Sequence, residues 1–191
     1  MKLLAIYGSP RKGGVTDTLL DMFIEGMEGR LNLDVAKIYI RELKIEGCRE
    51  CYKCRSNGGI CVIDDDMQMV YRYLEEADII VLSAPIFFYN FNAQVKAMVD
   101  RIQAFWVRKY ILGIPLKKKK IGILISAGAT KGENLFDGAL LTFKYFLDPL
   151  NGEIVGSFTA RRLEKPEDAK SKSISNRMDD FVRNIVRKVS P

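Results

Sequence analysis

Five short apolar runs, each followed by residues at helical spacing, constrain the fold of this 191-residue chain more than any other feature. The first run, Lys2 to Tyr7, is almost continuously apolar and ends at Gly8, as expected of a strand buried on both faces. Further strands are predicted at about Asp34 to Ile40, Asp78 to Ser83, Lys120 to Ser126 and Glu153 to Thr159. This alternation predicts an α/β fold, a doubly wound sheet of five parallel strands.

Helical spacing of apolar residues predicts the elements between the strands. The predicted helices are Thr16 to about Gly29, about Ala93 to Lys109, Glu133 to Leu147 and about Pro166 to Val189. Another helix is predicted to begin near Asp64-Asp65-Asp66, because acidic residues suit a helix N-terminus. We interpret that triplet as helix capping rather than metal binding.

Composition is that of one globular domain spanning residues 1–191, with 48% hydrophobic and 28% charged residues. No apolar run approaches the ~20 residues that span a bilayer, and Met1-Lys2 leads directly into a strand pattern rather than a signal peptide. We therefore expect a cytoplasmic protein without a membrane partner, in which thiols stay reduced.

Charge and the absence of histidine limit the possible chemistry. The net charge is +6, but the basic residues are scattered, and the dense run Lys117 to Lys120 is expected to be a solvated loop. This balance suits an anionic cofactor or an acidic redox partner. With no histidine, Ser-His-Asp and Cys-His catalysis are excluded, so any enzymatic activity depends on a cofactor.

The loop after the first strand has the composition of an anion site at a helix N-terminus. It lacks both the P-loop pattern and the dinucleotide fingerprint, since Gly14 and Val15 stand where a P-loop needs lysine and a hydroxyl residue. A monophosphate site is predicted, with a plain glycine-rich turn as the alternative. Its candidate residues are Ser9, Arg11, Gly13, Gly14, Thr16 and Thr18.

Two further loops are predicted at the same edge of the sheet. The loop from Ala84 to Asn92 is rich in aromatic residues, which favour a flat partner such as a cofactor ring or another subunit. Asn90 and Asn92 offer donors to ring heteroatoms, and Asn92 equally suits a helix N-cap. The loop from Ala127 to Gly132 has small residues. In the strand order 2-1-3-4-5, ligands bind between strands one and three, where these loops meet.

All four cysteines lie within fourteen residues, in a loop insertion at 47–62 after the second strand. Cys48, Cys51 and Cys54 recur at two-residue intervals, and Cys61 follows after a flexible Ser-Asn-Gly-Gly. This set suits a [4Fe–4S] cluster. Tetrahedral zinc is an alternative, although zinc knuckles normally have a longer insert between two cysteine pairs. Disulfides or free thiols are the third possibility.

Together, the glycine-bearing loop, the cysteine run and Ala84 to Tyr89 closely resemble the archaeal iron–sulfur flavoproteins. These belong to the NADPH-dependent FMN reductase-like group, which has the flavodoxin-like fold, and the resemblance covers essentially the whole chain. It implies FMN and a [4Fe–4S] cluster as cofactors, a tetramer built from dimers, and electron transfer with ferredoxin as donor and small oxidants as acceptors. Gly14-Val15 replaces polar residues of many flavin reductases, which implies backbone contacts alone at those two positions.

The resemblance also implies roles for individual residues. Ser9, Arg11, Thr16 and Thr18 would bind the FMN phosphate. The four cysteines would ligate the cluster. The isoalloxazine ring would lie against the aromatic loop, at Pro85, Ile86, Phe87, Phe88 and Tyr89. The loop after strand four would close the third side of the ring with Ser126, Gly128 and Thr130.

Two rival functions remain open on the sequence. The first is an NAD(P)H-dependent flavin or quinone reductase whose cysteines bind structural zinc. The second is a nucleic-acid-binding module with a cysteine knuckle and a basic surface. The aromatic loop and the predicted phosphate site argue against the second, so no nucleic-acid partner is expected.

Overall fold

A five-stranded parallel sheet in the order β2-β1-β3-β4-β5 forms the centre of the computed structural model, which describes residues 1–116 and 118–190. Every neighbouring pair of strands is parallel, so the predicted flavodoxin-like fold and strand order are confirmed. The strands are β1 (Lys2–Tyr7), β2 (Asp34–Tyr39), β3 (Ile79–Pro85), β4 (Lys120–Gly128) and β5 (Gly152–Arg161).

Helices connect the strands and cover both faces of the sheet. They are α1 (Val15–Glu28), α2 (Lys53–Ser56), α3 (Met67–Glu76), α4 (Ala93–Arg101), α5 (Gln103–Trp106), α6 (Asp137–Leu147), α7 (Pro166–Ala169) and α8 (Lys172–Val189). Short 3-10 segments span Ile40–Glu42 and Asp148–Leu150, and a π-helical turn spans Val107–Ile111.

Alternate residues of each strand face two separate hydrophobic layers, as the pleat of a strand requires. On β1, Leu3 and Ala5 pack with α1, α7 and α8, whereas Leu4 and Ile6 pack with α3 to α6. Both layers are closed to solvent, which explains why the central strands are almost continuously apolar.

Gly8 allows the end of β1 to approach the start of α4 closely. A Cβ at this position would lie 2.6 Å from Cγ2 of Val95, too close for any other residue. Asn92 caps α4 by accepting a hydrogen bond from the Val95 amide (3.1 Å), and its side-chain amide donates to the Gly8 carbonyl (2.6 Å). The loops after β1 and β3 are thereby fixed to each other.

Three of the expected helices and the lysine run differ from the sequence-based expectations. The helix expected at 93–109 is interrupted at Ile102 and ends in the π-helical turn, and the helix expected at 133–147 begins only at Asp137. The closing helix expected at about 166–189 is divided into α7 and α8. The lysine run is not uniformly solvated: Lys120 is fully buried and donates to the carbonyls of Glu75 and Ala77, the latter at 2.7 Å. Burial lowers the pKa of Lys120. Lys117 lies outside the described residues.

None of the helices in the described ranges has the length and apolar character that crossing a membrane requires.

Candidate functional site

The first candidate site is a cavity of about 420 Å³ at the carboxyl edge of the sheet, within the size range of small-molecule pockets. Its walls come from the loops that follow β1, β3, β4 and β5, so the expected convergence of loops at this edge is observed. The lining residues are Ser9, Arg11, Val15, Thr16, Pro85, Ile86, Phe87, Ala127, Gly128, Ala129, Leu163 and Glu164.

The N-terminus of α1 opens one end of this cavity. The N-cap residue Gly14 has no side chain with which to satisfy the first amides of the helix, and these N–H groups with the helix dipole favour an anion. Ser9 and Thr16 are buried beside it, whereas Arg11 is exposed and free to close over a ligand. The Thr18 hydroxyl bonds instead to the Gly14 carbonyl (3.2 Å).

A buried ion pair stabilises the glycine-bearing loop after β1. The Asp17 carboxylate accepts hydrogen bonds from the Gly13 amide (3.0 Å) and from Arg41 (2.9 Å). Gly13 has a positive φ of 65°, a conformation that favours glycine. Burial raises the pKa of Asp17, an effect that Arg41 and the Gly13 amide only partly offset. Sequence spacing does not indicate this pair, because Arg41 lies after β2, 24 residues from Asp17.

The aromatic loop after β3 contributes Ile86 and Phe87 to the cavity, while Phe88 is fully exposed. Phe88 and Tyr89 have positive φ values of 47° and 65°, which are unfavourable for bulky side chains and are found mainly at functional or tightly constrained turns. Asn90 closes the turn and donates to the Thr142 hydroxyl of α6 (3.1 Å). The loop therefore leaves the rings of Phe88 and Tyr89 exposed next to the residues that line the cavity.

Seven of the fifteen residues predicted to bind the cofactor line this cavity. Ser126 is buried in the sheet and donates to the Ala84 carbonyl (2.7 Å), so its hydroxyl is already used. Thr130 is exposed. The cavity is lined by Ser9, Arg11, Thr16, Pro85, Ile86, Phe87 and Gly128, and its described lining does not include Gly13, Gly14, Thr18, Phe88, Tyr89, Asn90, Ser126 or Thr130.

Leu163 and Glu164 were missed by the sequence reasoning although they line the cavity. They directly follow β5, and the rule that ligands bind at the carboxyl ends of parallel strands would have identified them.

The second candidate site is a cavity of about 350 Å³ beside α4 that all four cysteines line. Cys48 and Cys51 are exposed, and Cys54 and Cys61 are partly buried. Partial burial raises the pKa of the Cys54 thiol, so its thiolate needs a compensating cation. The remaining lining residues are Arg49, Glu50, Tyr52, Val62, Ile63, Asp100, Arg101, Gln103 and Ala104.

The cysteine segment winds tightly through several left-handed residues. Glu50 and Tyr52, on either side of Cys51, have φ values of 52° and 57°. Tyr52 is left-handed and directly precedes α2, a sequence of conformations that turns successive N–H groups to one side, as in the backbone nests of many Fe–S sites. Gly58 and Gly59, at φ 60° and 77°, then reverse the chain toward Cys61.

A buried ion pair anchors this segment to α4. Both terminal nitrogens of Arg101 donate to the Asp65 carboxylate, at 2.7 and 3.1 Å. Burial opposes ionisation of Asp65, yet Arg101 and two backbone amides hold the pKa of its carboxyl below the usual range. The expected capping by the acidic triplet is limited to Asp65, which accepts from the Met67 amide (3.1 Å) at the start of α3. The N-cap residue Asp66 makes no side-chain capping bond and accepts from the Lys44 amide instead. The signal for Arg101 was its position three residues after Met98, within the apolar stripe of the helix.

The cysteine cavity fits a thiolate-ligated group. Across the described ranges, no three cysteine, aspartate or glutamate side chains are gathered closely enough to hold a metal ion. The four thiols nevertheless line one cavity, and the buried Nε of Arg101 has no acceptor among the described residues. A buried N–H without an acceptor is unfavourable, and the sulfur atoms of a bound cluster would supply one.

Comparison with known proteins identifies the wider relationship. The family described as NADPH-dependent FMN reductase matches residues 1–147. A protein of Archaeoglobus fulgidus named iron-sulfur flavoprotein is 35% identical over 137 residues, which cover 71% of this chain and 59% of that protein. A second iron-sulfur flavoprotein from the same organism is 31% identical over 163 residues, covering 83% of this chain and 78% of that protein. The chain thus spans less than two thirds of the first relative.

The fold also matches solved reductases. The structure of an NAD(P)H:quinone oxidoreductase from Methanothermobacter marburgensis superimposes with a TM-score of 0.72 at 15% identity, over 97% of this chain and 96% of that chain. At this identity the match concerns the fold alone.

Proposed function

Because the chain belongs to the archaeal iron–sulfur flavoproteins of the NADPH-dependent FMN reductase family, we propose that it transfers electrons between a [4Fe–4S] cluster and FMN. The observation that carries this proposal is the presence of two cavities with different chemistry on one chain. One offers four thiols, and the other offers a helix N-terminus beside apolar walls. Their described lining residues do not overlap, which supports a separate site for each proposed cofactor.

FMN would bind in the cavity at the edge of the sheet. The amides of the first turn of α1, with Ser9 and Thr16, bind the phosphate, and Arg11 closes over it with a charged fork. Ile86 and Phe87 lie against the ring. Gly13, Gly14 and Thr18 shape the loop rather than contact the ligand, and Gly128 lines the cavity at the end of β4.

The cluster would bind in the cysteine cavity. Cys48, Cys51, Cys54 and Cys61 would be its ligands, and the turned backbone around Cys51 would offer amide donors to its sulfur atoms. An iron–sulfur cluster passes single electrons and a flavin accepts one or two, so together they link one- and two-electron chemistry. The contribution of the chain is to hold both groups, limit their exposure and set the charge around them.

The net charge and the exposed apolar side chains support proposals about binding partners. We propose a ferredoxin-type donor, which the net charge of +6 favours because ferredoxins are acidic, and a small oxidant as acceptor. We also propose a cytoplasmic homo-oligomer, a tetramer built from dimers, without nucleic-acid or membrane partners. The exposed rings of Phe88 and Tyr89, together with the exposed Leu141 and Tyr145 of α6, are available for a subunit interface that would cover the flavin.

Metal analysis of anaerobically purified protein tests this function. We expect about four irons and about four sulfides per chain, with FMN released on denaturation. One zinc without sulfide would contradict electron transfer through a cluster and favour the reductase with structural zinc. Protein without FMN after reconstitution with excess FMN would contradict the flavin site.

A further inference from the structure

Arg101 is the largest fully buried side chain in the described residues, and it lies at the end of α4 against the cysteine cavity. The two terminal nitrogens of its guanidinium group donate four hydrogen bonds. Nη1 donates to the Glu46 carbonyl (3.0 Å) and to the Asp65 carboxylate (2.7 Å). Nη2 donates to the Ile63 carbonyl (3.3 Å) and to the second Asp65 oxygen (3.1 Å).

These contacts join the two ends of the cysteine segment. Glu46 lies two residues before Cys48, and Ile63 lies two residues after Cys61. Asp65 completes the connection by accepting from the Glu46 amide (2.9 Å). The residues between Glu46 and Ile63 are mostly exposed. The guanidinium of Arg101 and the carboxylate of Asp65 therefore determine the distance between the two ends of the segment.

The third nitrogen of Arg101 is left without a partner. Nε is buried, and no acceptor for it is found within the described ranges. Arg101 lines the same cavity as the four cysteines, and the Asp65 carboxylate with which it is paired balances its positive charge. An arginine is always protonated, so this charge does not depend on pH.

We propose that Arg101 is the positioning residue of the cluster site: its fork holds both ends of the cysteine segment, and its Nε donates to sulfur in the cavity. This inference rests on the proposed cluster. It adds a consequence that a purely structural role would not have. A reduced cluster is more negative than an oxidised one. An N–H donor to sulfur, and a positive charge that cancels the nearby Asp65 carboxylate, therefore both stabilise the reduced form and raise the reduction potential.

Three variants test the proposal: R101Q, R101K and R183Q. Arg183 makes the control, because R183Q is the same chemical change and charge loss on an exposed residue of α8, which packs on the other face of the sheet. Each protein is purified anaerobically and analysed for iron, sulfide and FMN. The potential of the cluster is then measured by redox titration followed by electron paramagnetic resonance.

We expect R101Q to have less iron and sulfide than the wild type, and a lower potential in the cluster that remains. R101K keeps the charge but loses the planar fork and Nε, so its potential should lie between those of R101Q and the wild type. FMN content should be equal in all proteins, and R183Q should have the wild-type potential.

A cluster-loaded R101Q with the wild-type potential would overturn the proposal. If R101Q does not fold or holds no cluster, R101K decides: an unchanged potential overturns the Nε contact, and a lowered one supports it. Wild-type protein without iron and sulfide would overturn the proposed function itself, and this outcome is seen before any substitution is made.

Discussion

The cavity at the edge of the sheet, called the flavin cavity after its proposed ligand, and the cysteine cavity differ in which elements determine their shape. The first is built on the ends of four hydrogen-bonded strands and on the start of a 14-residue helix. The second is built on a segment whose one helix has four residues, and both neighbours of Cys51 have left-handed conformations. The sheet determines the shape of the first cavity whether or not a ligand is bound.

The cysteine segment, in contrast, is fixed at its ends and at its tip. Asp65 and Arg101 hold the ends, and Gly59 packs directly against the side chain of Arg108, where any Cβ would overlap it. Between these points, the thiols line a cavity without forming a metal-binding group. If the proposed cluster binds here, we expect it to increase the order of this region, as is common for sites whose folding is coupled to metal binding.

The largest expected effect is the loss of one site without the other. Cys51→Ser should abolish cluster absorbance and reduce iron and sulfide to background, because a serine hydroxyl is a poor replacement for a thiolate ligand. FMN should remain bound, since the flavin cavity shares none of its described residues with the cysteine cavity. Visible spectra and FMN content check this. Loss of FMN together with the cluster would contradict the independence of the two sites.

Breaking the anchor of the cysteine segment should have the next largest effect. Asp65→Asn leaves Arg101 buried without a counter-charge, which typically costs about 3–5 kcal/mol of unfolding free energy. Denaturant unfolding of the cluster-free protein measures the change. Asp179→Asn, which removes an exposed ion-pair partner on α8, is the control and should change stability little. Equal effects of the two substitutions would refute the role of the anchor.

Removing Arg11 should weaken the flavin site without disturbing the fold. A charge-assisted hydrogen bond contributes about 1.5–3 kcal/mol, so Arg11→Ala should raise the Kd for FMN about 10- to 100-fold. Quenching of FMN fluorescence in titrations of flavin-free protein gives the value. Lys12→Ala, the exposed neighbour outside the cavity lining, is the matched control. An Arg11 variant that binds as tightly as the control would place the phosphate elsewhere.

The smallest expected effect is on the unfolding free energy at low pH. Since Arg101 and backbone amides lower the pKa of Asp65 in the folded protein, its ionised form stabilises the fold above the unfolded pKa of about 3.9. This contribution is lost as pH falls through the folded pKa. The difference in unfolding free energy between wild type and Asp65→Asn should be constant near neutral pH and shrink below about pH 4. A difference that stays constant in acid would mean that the carboxylate charge is not what stabilises the segment.

The fold was predictable from the sequence because buried parallel strands have nearly continuous apolar sequences. The same strand-end rule located Ser9, Arg11 and Ile86, since loops after neighbouring strands must meet at one edge of the sheet. It could not orient Ser126, because a strand buried on both faces does not reveal which neighbour a hydroxyl contacts.

Charged residues in the core were not predictable from pattern alone. Lys120 belongs to a lysine run typical of a solvated loop, yet as the first residue of β4 it reaches two carbonyls at the end of α3. Arg101 is favourable in the core only because Asp65, 36 residues earlier, folds back against it. Such pairs depend on tertiary contacts that spacing along one helix does not contain.

An anaerobic reductive titration tests the central claim most directly, because it counts the electrons that one chain accepts. A flavin takes two and a [4Fe–4S] cluster takes one, so dithionite should deliver about three electrons per chain, with bleaching of both chromophores. An uptake of about two electrons, with flavin bleaching alone in protein that has not been exposed to air, would contradict a redox-active cluster in this protein.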